Sequence, residues 1–339
     1  MSKIKVGVAG FGVIGQRLAD GVARQEDMEL VGVADVAPTL AVRALAERGM
    51  PYRMFAATPG TEDALNAGGI PVSGGFDDLL GDVDIMLDAA PGGIGAENKK
   101  KYVAAGLKAV FQGGEAGEVA DVFFHGYANY AKGVGKDYLK LTSCNTTGLI
   151  RAVHAIDQAV GVEKIAITII RRIADPGDTH RGVVDSLIME AIPNHQAVDL
   201  MEIMPHVNAT GLLVHTPITH GHIITIVATP KQAISKDDAI DVFRAHPRVR
   251  SVKIEDGFTT NTSLFNYARF LGNPRGDMFE VGLFEETVGH SGDDLMFAIN
   301  IPQESVTIPE TIDAIRAAMP MQTDQAEAVG LTNQYLGMA

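Results

Sequence analysis

The chain has a single cysteine, Cys144, which follows a short predicted strand, Leu139-Lys140-Leu141, and precedes a segment of helical spacing at 149–160. A lone cysteine is often a small buried hydrophobe. At the first turn of a helix, however, free backbone amides and the helix dipole stabilise a thiolate, so the pKa of the thiol is predicted to be lowered. The same amides can hold an oxyanion. The spacing therefore predicts a strand, a turn and a helix, with Cys144 at or just before the first helical turn. In that position the thiol is predicted to be a covalent nucleophile towards a carbonyl carbon.

Two histidines, His220 and His222, flank Gly221 directly before an apolar run at 223–227 that predicts a strand. General-base chemistry near neutral pH suits an imidazole, so His220 is the predicted base that activates the thiol and accepts the proton of the hemiacetal. The alternative is a structural histidine whose ring is satisfied by its neighbours. Metal catalysis is not expected, because the chain has no second cysteine and no H-E-x-x-H pattern.

A glycine turn, Gly10-x-Gly12-x-x-Gly15, lies between an apolar run at 5–9 and a segment of helical spacing at 16–25. Glycine at these positions permits a tight turn, lets the backbone approach a pyrophosphate, and brings helix and strand together. The amides at the start of the helix can then bind the phosphates. The pattern predicts a dinucleotide-binding turn, and the alternative is a glycine turn in another kind of α/β protein.

Asp35 ends a second apolar run at 30–34, the position from which a carboxylate accepts hydrogen bonds from the ribose 2′-hydroxyl of NAD. Its charge would also repel the 2′-phosphate of NADP, and the first basic residue after it is Arg43. NAD is therefore the favoured cofactor, and NADP is the second candidate.

Two adjacent arginines, Arg171 and Arg172, end an apolar, β-branched run. The formal net charge of the chain is −14, so an anionic substrate needs a local positive site. Guanidinium groups bind phosphate in a bidentate manner, and the two arginines are the predicted anion site. Three residues shortly after them are expected to add contacts: Thr179, His180 and Arg181. A surface ion pair is the alternative for either arginine.

Two domains are expected to position these residues. Residues 1–142 alternate strand and helix patterns, which predicts a Rossmann domain with a doubly wound parallel sheet. Residues 143–305 contain β-branched runs without a helix between each pair, which predicts an α+β catalytic domain with a mostly antiparallel sheet. Residues 306–339 contain a predicted amphipathic helix at 309–319, expected to pack back on the Rossmann domain. The expected fold class is α/β.

The composition points to a small-molecule partner. An acidic surface repels nucleic acid and anionic membranes, so neither is expected to bind. The sequence contains no run of about 18 apolar residues, so no transmembrane helix is expected. The first residues lack the pattern of a signal peptide, which favours a cytoplasmic protein.

Over nearly its whole length the chain resembles the archaeal-type (type II) branch of the glyceraldehyde-3-phosphate dehydrogenases. The segment Ser143-Cys144-Asn145-Thr146-Thr147 is similar to the active-site signature of that family. No single motif is specific for this family, but the motifs taken together are. The further markers are residues 10–15, 111–115, 171–175, 220–222, 303–305 and 312–316.

The resemblance implies a phosphorylating aldehyde dehydrogenase of glycolysis or gluconeogenesis, assembled as a homotetramer. In that reaction Cys144 attacks the aldehyde of glyceraldehyde 3-phosphate, a hydride passes to NAD(P)+, and inorganic phosphate releases the acyl group from a covalent thioester. His220 corresponds to the catalytic base. The implied cofactor contacts, besides the glycine turn and Asp35, are Val13, Ile14, Gly114, Arg172 and Gln303. The implied substrate contacts are Ser143, Cys144, Asn145, His195 and Gln196.

The chain departs from the family pattern around the expected substrate site. Residues 181–185 read Arg-Gly-Val-Val-Asp where archaeal members usually have Lys-Gly-Pro-Ile-Asn. Residues 193–197 read Pro-Asn-His-Gln-Ala in place of Pro-Ser-His-His-Gly or a similar sequence, and Asp35 stands where a basic residue often supports NADP binding. We therefore expect the chemistry to be kept, with an aldehyde that could differ from glyceraldehyde 3-phosphate.

Two other functions share part of this pattern. The first is an acyl-phosphate reductase similar to aspartate-semialdehyde dehydrogenase, which has the same architecture and Cys/His pair. The sequence around Cys144 and at 171–175 argues against it. The second is a catalytically inactive, NAD-binding regulatory protein. The presence of both Cys144 and His220 argues against that function.

Overall fold

A computed structural model describes residues 3–112, 114–173 and 187–338. The chain divides into two compact units, Met1–Leu141 with Ile308–Gly337 and Thr142–Thr307 with Met338–Ala339. Each unit is built around its own β-sheet. Within the described residues, no helix is both long enough and apolar enough to cross a membrane.

The first unit contains a parallel sheet. Its strands are β1 (Ile4–Ala9), β2 (Met28–Asp35), β3 (Arg53–Ala56), β4 (Ile85–Asp88), β5 (Lys108–Phe111), β6 (Val122–Phe124) and β7 (Tyr138–Leu141). The helices between them are α1 (Val13–Ala23), α2 (Leu40–Glu47), α3 (Thr61–Ala67), α4 (Phe76–Asp82), α5 (Ile94–Ala105) and α6 (Tyr130–Gly133). The strand order is β3-β2-β1-β4-β5-β7-β6, and all neighbours pair in parallel. The predicted doubly wound parallel sheet is confirmed.

The centre of this sheet explains its apolar strand sequences. Val6 and Val8 of β1 are fully buried, as is every residue of β4. A parallel strand that is covered on both faces has a continuous apolar run instead of an alternating one. Strand β1 pairs with β2 on one side and with β4 on the other, so the chain order reverses beside it. Open α/β sheets bind ligands at the carboxyl ends of the strands at such a reversal.

The second unit contains a mixed sheet. Its strands are β8 (Val162–Arg172), β9 (Ile188–Met189), β10 (Asn208–Thr216), β11 (His222–Pro230), β12 (Val249–Val252), β13 (Val281–Phe284), β14 (Gly289–Ser291) and β15 (Asp294–Ile301). Its helices are α7 (Cys144–Val160), α8 (His195–Ile203), α9 (Lys236–Ala245) and α10 (Ser263–Phe270). The order is β12-β13-β15-β11-β8-β10-β9, with β14 beside β15. Only β8–β10 and β12–β13 are parallel among the described strands, so the predicted, mostly antiparallel sheet is confirmed.

One face of this second sheet is covered by α7. In β11, His222, Ile224 and Ile226 alternate with more exposed residues and are buried. His222 lies opposite Ile301 of β15, and a Cβ added to Gly148 of α7 would approach the Ile301 side chain to 2.3 Å. Residues opposite one another in a sheet share a face. The side chain of His222 therefore points to the face on which α7 packs.

The chain ends in two helices of the first unit, α11 (Ile308–Ala318) and α12 (Gln325–Leu336). The predicted helix at 309–319 is confirmed. The amphipathic pattern predicts a helix buried on one face only, whereas every residue of α11 is buried. Helix α11 contacts α1, α6, α12, β5 and β7, so its polar side is enclosed as well. Arg316 donates to the carboxylate of Asp27 (2.8 and 2.9 Å) and to the Thr332 hydroxyl (2.6 Å). Helix α12 was not predicted from the sequence.

Candidate active site

Cys144 is the first residue of α7, as the sequence pattern predicted. Strand β7 ends at Leu141, and Ser143 caps the helix by accepting a hydrogen bond from the Thr146 amide (3.2 Å). The Ser143 hydroxyl also lies 2.9 Å from the Thr146 hydroxyl. A serine cap satisfies one of the free amides of the first turn and fixes where the helix begins. The cysteine is thereby held at the positive end of a helix of 17 residues.

The thiol of Cys144 is partly buried. Burial raises the pKa of this thiol above its ordinary value, whereas the charges of Arg171 and Arg172 and hydrogen bonds from backbone amides act to lower it. The backbone amides at the start of α7 therefore lower the pKa of the thiol, as expected. The net direction is nevertheless opposite to the prediction of a lowered pKa, because desolvation of the thiolate is the largest contribution.

The imidazole next to the thiol belongs to His222. Its Nε2 lies 3.7 Å from the Cys144 sulfur, and its Nδ1 accepts a hydrogen bond from the backbone N–H of Arg172 (3.1 Å). The side chain is only 2% exposed. Burial, followed by the charges of Arg172, Arg171 and His215, lowers the pKa of this imidazole to about 3. The ring is thus neutral at physiological pH.

His220, the predicted base, lies in different surroundings. Its Nδ1 is 2.8 Å from the Thr219 hydroxyl, and its ring centroid is 4.3 Å from that of Phe265. Burial lowers the pKa of this imidazole too. The ring lines a small pocket together with Asn261, Phe265 and Glu304. The structure therefore differs from the prediction: the histidine that contacts the nucleophile is the second of the pair, His222, and not His220.

Arg171 lies at the end of β8 and faces a carboxylate. Its Nη1 is 4.0 Å from Glu190, whose Oε1 is also 2.5 Å from the Nε2 of His215. His215 and Arg171 are register partners on the parallel strands β10 and β8. The predicted anion site thus contains a further basic side chain, His215, and a compensating acid, Glu190, neither of which was predicted.

Arg172 is also paired with an acid. Its Nη1 donates to Glu304 (3.0 Å) and to the carbonyl oxygen of Thr219 (3.2 Å). Gln303, the residue before Glu304, accepts from the Gly221 amide (2.8 Å). Arg172 and Gln303, both predicted cofactor contacts, therefore hold the segment 219–221 that precedes His222. Both side chains therefore help to position His222, the residue next to the thiol.

The predicted substrate residues of α8 lie where this helix begins, and α8 packs against α7. Asn194 caps α8 by accepting from the Ala197 amide (3.1 Å), and the His195 Nε2 lies 2.6 Å from the Gln196 side-chain amide. Among the buried polar atoms without a hydrogen-bond partner in the described residues, three lie at the starts of α7 and α8: Asn145 Oδ1, Asn194 Nδ2 and Gln196 Oε1. Buried polar atoms are nearly always paired, so an orphaned set indicates a place for a polar ligand.

The glycine turn brings the start of α1 close to the end of β1, as the predicted dinucleotide site requires. Gly10 has a φ of +85°, which favours glycine, and its amide donates to Ala34 (2.8 Å). A Cβ on Gly15 would lie 1.8 Å from the Gly10 carbonyl, so helix and strand could not approach as they do. At Gly12, the N-cap of α1, a Cβ would meet no atom of the described residues within 4 Å, and none of their side chains caps the helix. The amides of Val13 and the residues after it are therefore open to an anion.

Asp35 ends β2 beside this turn. Its Oδ2 accepts from the Phe11 amide (2.8 Å), and its Oδ1 accepts from the amides of Val36 (2.7 Å) and Ala37 (3.3 Å). A carboxylate has about four acceptor positions, so one remains for a ribose hydroxyl. The residue predicted to select the cofactor thus also ties the glycine turn to β2.

Gly114 follows β5 at the same edge of the parallel sheet. A Cβ on Gly92, in the turn between β4 and α5, would lie 2.8 Å from the Gly114 carbonyl oxygen, so the two backbones approach closely there. The neighbouring Glu115 accepts from the Gly95 amide (2.8 Å) at the start of α5. The other predicted positions, Gly113, Ala174, Asp175, Thr179, His180 and residues 181–185, lie outside the described residues.

Comparison with known proteins shows to which family the chain is related. Residues 143–268 match the family model described as the C-terminal domain of glyceraldehyde 3-phosphate dehydrogenase. A glyceraldehyde-3-phosphate dehydrogenase of Thermococcus kodakarensis is 38% identical over 337 residues, which cover 99% of both chains. The enzyme of the same name from Archaeoglobus fulgidus is 36% identical and covers 100% of this chain and 99% of its own.

A solved structure shows the same fold at much lower identity. Aspartate semialdehyde dehydrogenase II from Vibrio cholerae matches with a TM-score of 0.66 and 14% identity, over 94% of this chain and 98% of its own. That likeness concerns the fold alone. The full-length sequence relatives decide the family and confirm the resemblance to the archaeal enzymes. The chain belongs to the glyceraldehyde-3-phosphate dehydrogenase family.

Proposed function

We propose that this protein oxidises glyceraldehyde 3-phosphate, or a related small aldehyde, to an acyl phosphate with a nicotinamide cofactor and inorganic phosphate. The observation that carries the proposal is the position of the Cys144 sulfur, at the start of α7 and 3.7 Å from the Nε2 of the buried His222. A thiol in such surroundings can form a thioester with the acyl group, which is the intermediate that this reaction requires.

Cys144 reacts as its thiolate. A bond forms between its sulfur and the aldehyde carbon, and the π electron pair of the carbonyl moves to the oxygen. Amides in the first turn of α7 and the imidazole of His222 are the groups that can donate hydrogen bonds to this oxyanion. The positive charges of Arg171 and Arg172 favour negative charge here, because both act to lower the pKa of the thiol.

Inorganic phosphate is proposed to release the acyl group. A phosphate oxygen bonds to the thioester carbon, the C–S bond breaks, and Cys144 leaves as a thiolate that is ready for the next aldehyde. Arg171, Arg172 and His215 supply positive charge for this anion. Glu190 and Glu304 partly compensate that charge, so the site is not strongly positive on balance.

Ser143, Asn145, His195 and Gln196 are the proposed substrate contacts. Among the described residues, the acceptor oxygens of Asn145 and Gln196 have no donor, and a hydroxyl group of the substrate can supply one. Two acceptor oxygens without a donor favour an aldehyde substrate that carries hydroxyl groups. Gln196 is one of the residues at which the sequence departs from the expected family pattern, so it is also the proposed position for a change of aldehyde.

NAD is the proposed cofactor, with NADP as the second candidate. When bound, its nicotinamide ring supplies the acceptor for the hydride of the aldehyde. Gly10, Gly12 and Gly15 shape the phosphate site, and the free amides of Val13 and Ile14 provide donors. The charge of Asp35 favours a ribose hydroxyl over a 2′-phosphate. The remaining proposed contacts are Gly114, Arg172 and Gln303.

A homotetramer is the proposed assembly. The face of the second sheet opposite α7 carries exposed apolar side chains, among them Leu212 (49% exposed) and Met296 (41% exposed). Ile170 and Val227, which are half-buried, belong to the same face. An exposed apolar patch on a sheet supports self-association, and sedimentation analysis of the purified chain would test it.

The proposed activity is tested by NADH formation from glyceraldehyde 3-phosphate with and without inorganic phosphate. We expect sustained turnover with phosphate and about one NADH per Cys144 without it, because the thioester then accumulates. Cys144→Ala is the control that should form no NADH. Equal turnover in both conditions would show that water resolves the thioester. An absence of NADH with this and other small aldehydes would overturn the proposal.

A further inference from the structure

A row of polar side chains crosses the second sheet at the end of β8. Strand β8 lies between β11 and β10, and His215 of β10 pairs with Arg171 of β8. On the other side, Ile223 of β11 pairs with Ile170. The residues next to these two, His222 and Arg171, therefore lie opposite each other as well. Opposite residues share a face of the sheet, so His215 is two strands, about 10 Å, from His222 on the face that α7 covers.

Glu190 extends this row beyond His215. It follows β9, which pairs with β10, and its amide donates to the carbonyl oxygen of Leu213 (3.2 Å). Its Oε1 lies 2.5 Å from the Nε2 of His215 and 4.0 Å from the Nη1 of Arg171. An ionised carboxylate can only accept, so the proton of the neutral ring is on Nε2 and Nδ1 presents a lone pair. The His215 side chain is 19% exposed, so a ligand at Arg171 can reach its ring.

We propose that His215 is the general base of the phosphate step and that Glu190 is the residue that positions it. This inference rests on the proposed function and adds a proton acceptor to its second half. A phosphate bound by Arg171 lies between the Nδ1 of His215 and the side of the row on which Cys144 contacts the sheet. A carboxylate beside an imidazole holds the tautomer that can accept a proton, and it stabilises the imidazolium that forms.

The phosphate step is balanced with one proton transfer. The attacking O–H group of the phosphate monoanion gives its proton to the Nδ1 of His215 while its oxygen forms a bond to the thioester carbon. The carbonyl π pair moves to the carbonyl oxygen and returns as the C–S bond breaks. The products are the acyl phosphate, the Cys144 thiolate and an imidazolium, which later gives its proton to water. No electron is gained or lost in this step.

The charges around His215 suit a proton that is gained and then lost. Arg171 binds the anion, and the imidazolium that forms faces the carboxylate of Glu190 at 2.5 Å. The positive charge that the proposed function assigns to His215 thus comes from the proton of the phosphate. The other titratable groups near the row are Cys144, His222, and His195 and Asp199 from the start of α8, which packs on β10.

The test separates formation of the thioester from its release, in the full-length protein. Rapid mixing with glyceraldehyde 3-phosphate and NAD gives the NADH burst, and a second mixing with phosphate gives the rate at which the thioester is lost. In His215→Gln the burst should stay within about twofold while the phosphate-dependent rate falls by about a hundredfold, because the base is lost. His215→Arg should fall equally, since a guanidinium keeps the charge but has no lone pair for a proton. Glu190→Gln should lose about tenfold, because the imidazolium loses a charge-assisted hydrogen bond.

His206→Gln is the matched control. His206 also pairs with a carboxylate, that of Asp157 (2.8 Å), but near the other end of α7 from Cys144, so both rates should be unchanged. His215→Ala adds a second measurement. Imidazole in the buffer should restore part of its phosphate-dependent rate, because a dissolved base can enter the space left by the ring. A purely structural role of His215 would give no such rescue.

Three results would overturn the proposal. The first is an unchanged phosphate-dependent rate in His215→Gln. The second is a rate retained in His215→Arg, which would show that only the charge at this position matters. The third is an equal loss of burst and phosphate step without rescue by imidazole, which would give His215 a structural role. A burst that is absent from the unmodified protein would instead overturn the proposed function, and this inference with it.

Discussion

The carboxylate of Asp35 accepts a hydrogen bond of 2.8 Å from the backbone amide of Phe11. This bond joins the end of β2 to the glycine turn between Gly10 and Gly12. A residue whose expected task is to distinguish NAD from NADP is therefore also a structural part of the glycine turn. We expect substitutions at this position to change cofactor preference and the shape of the turn together.

Asp35→Lys should shift the ratio of kcat/KM towards NADP, because the acid that repels a 2′-phosphate is replaced by a base. The Phe11 amide loses its acceptor at the same time, which should cost about 1–3 kcal/mol of stability. Kinetics with both cofactors and a melting curve would measure the two effects. Asp35→Asn is the control, since it removes the charge but keeps an acceptor. An unchanged cofactor ratio in Asp35→Lys would count against a role at the ribose.

Cys144→Ser should lose the acyl-transfer reaction while it still binds NAD. A hydroxyl at the same place ionises far less readily than a thiol, and neither the glycine turn nor Asp35 is altered. Rapid-mixing measurement of the first turnover and calorimetric titration with NAD would show the two results. Formation of NADH by Cys144→Ser at the rate of the unmodified protein would exclude Cys144 as the nucleophile.

His222→Ala should lower kcat/KM by about a hundredfold or more, because a donor to the developing oxyanion is removed. His220→Ala should have a smaller effect, since its ring contacts Thr219 and Phe265 and acts on the thiol only through the segment before His222. Steady-state kinetics of the two variants, with circular dichroism as a folding control, provide the comparison. The opposite order of effects would return the catalytic role to His220.

The buried His222 should make the second unit sensitive to acid. Its pKa falls from the ordinary 6.5 to about 3 on folding, so the unfolded chain binds a proton that the folded one does not. The stability from this group is therefore complete above pH 6.5 and is lost as the pH falls towards 3, by about 1 kcal/mol per pH unit. Urea unfolding at several pH values should show a shallower acid slope in His222→Gln. Parallel slopes would contradict the depressed pKa.

Local patterns made the glycine turn and the position of Cys144 predictable. In both cases the spacing of a few neighbouring residues determines where a helix begins. The strand at 222–230 has a local signal of its own that could have identified the contacting histidine. His222, Ile224 and Ile226 alternate, so a period of two places His222 on the buried face and leaves His220 outside the strand.

Pairings between distant residues could not be predicted in this way. Glu304 faces Arg172 across 132 positions of the chain, and no local periodicity connects them. The same is true of Glu190 beside His215, which depends on the pairing of β9 with β10. The pKa of Cys144 was predicted in the wrong direction, because the helix start is visible in the sequence while the desolvation of the thiol depends on tertiary packing.

The enclosed helix α11 has a consequence for biosynthesis. A nascent chain that has reached residue 142 has all the strands of the parallel sheet but lacks the segment that covers α1, α6, β5 and β7. Burial of that apolar surface must wait until residues 308–318 leave the ribosome, after the whole mixed sheet has been translated. The first unit is thus started first and completed last, and in the interval its uncovered strands and helices expose apolar surface.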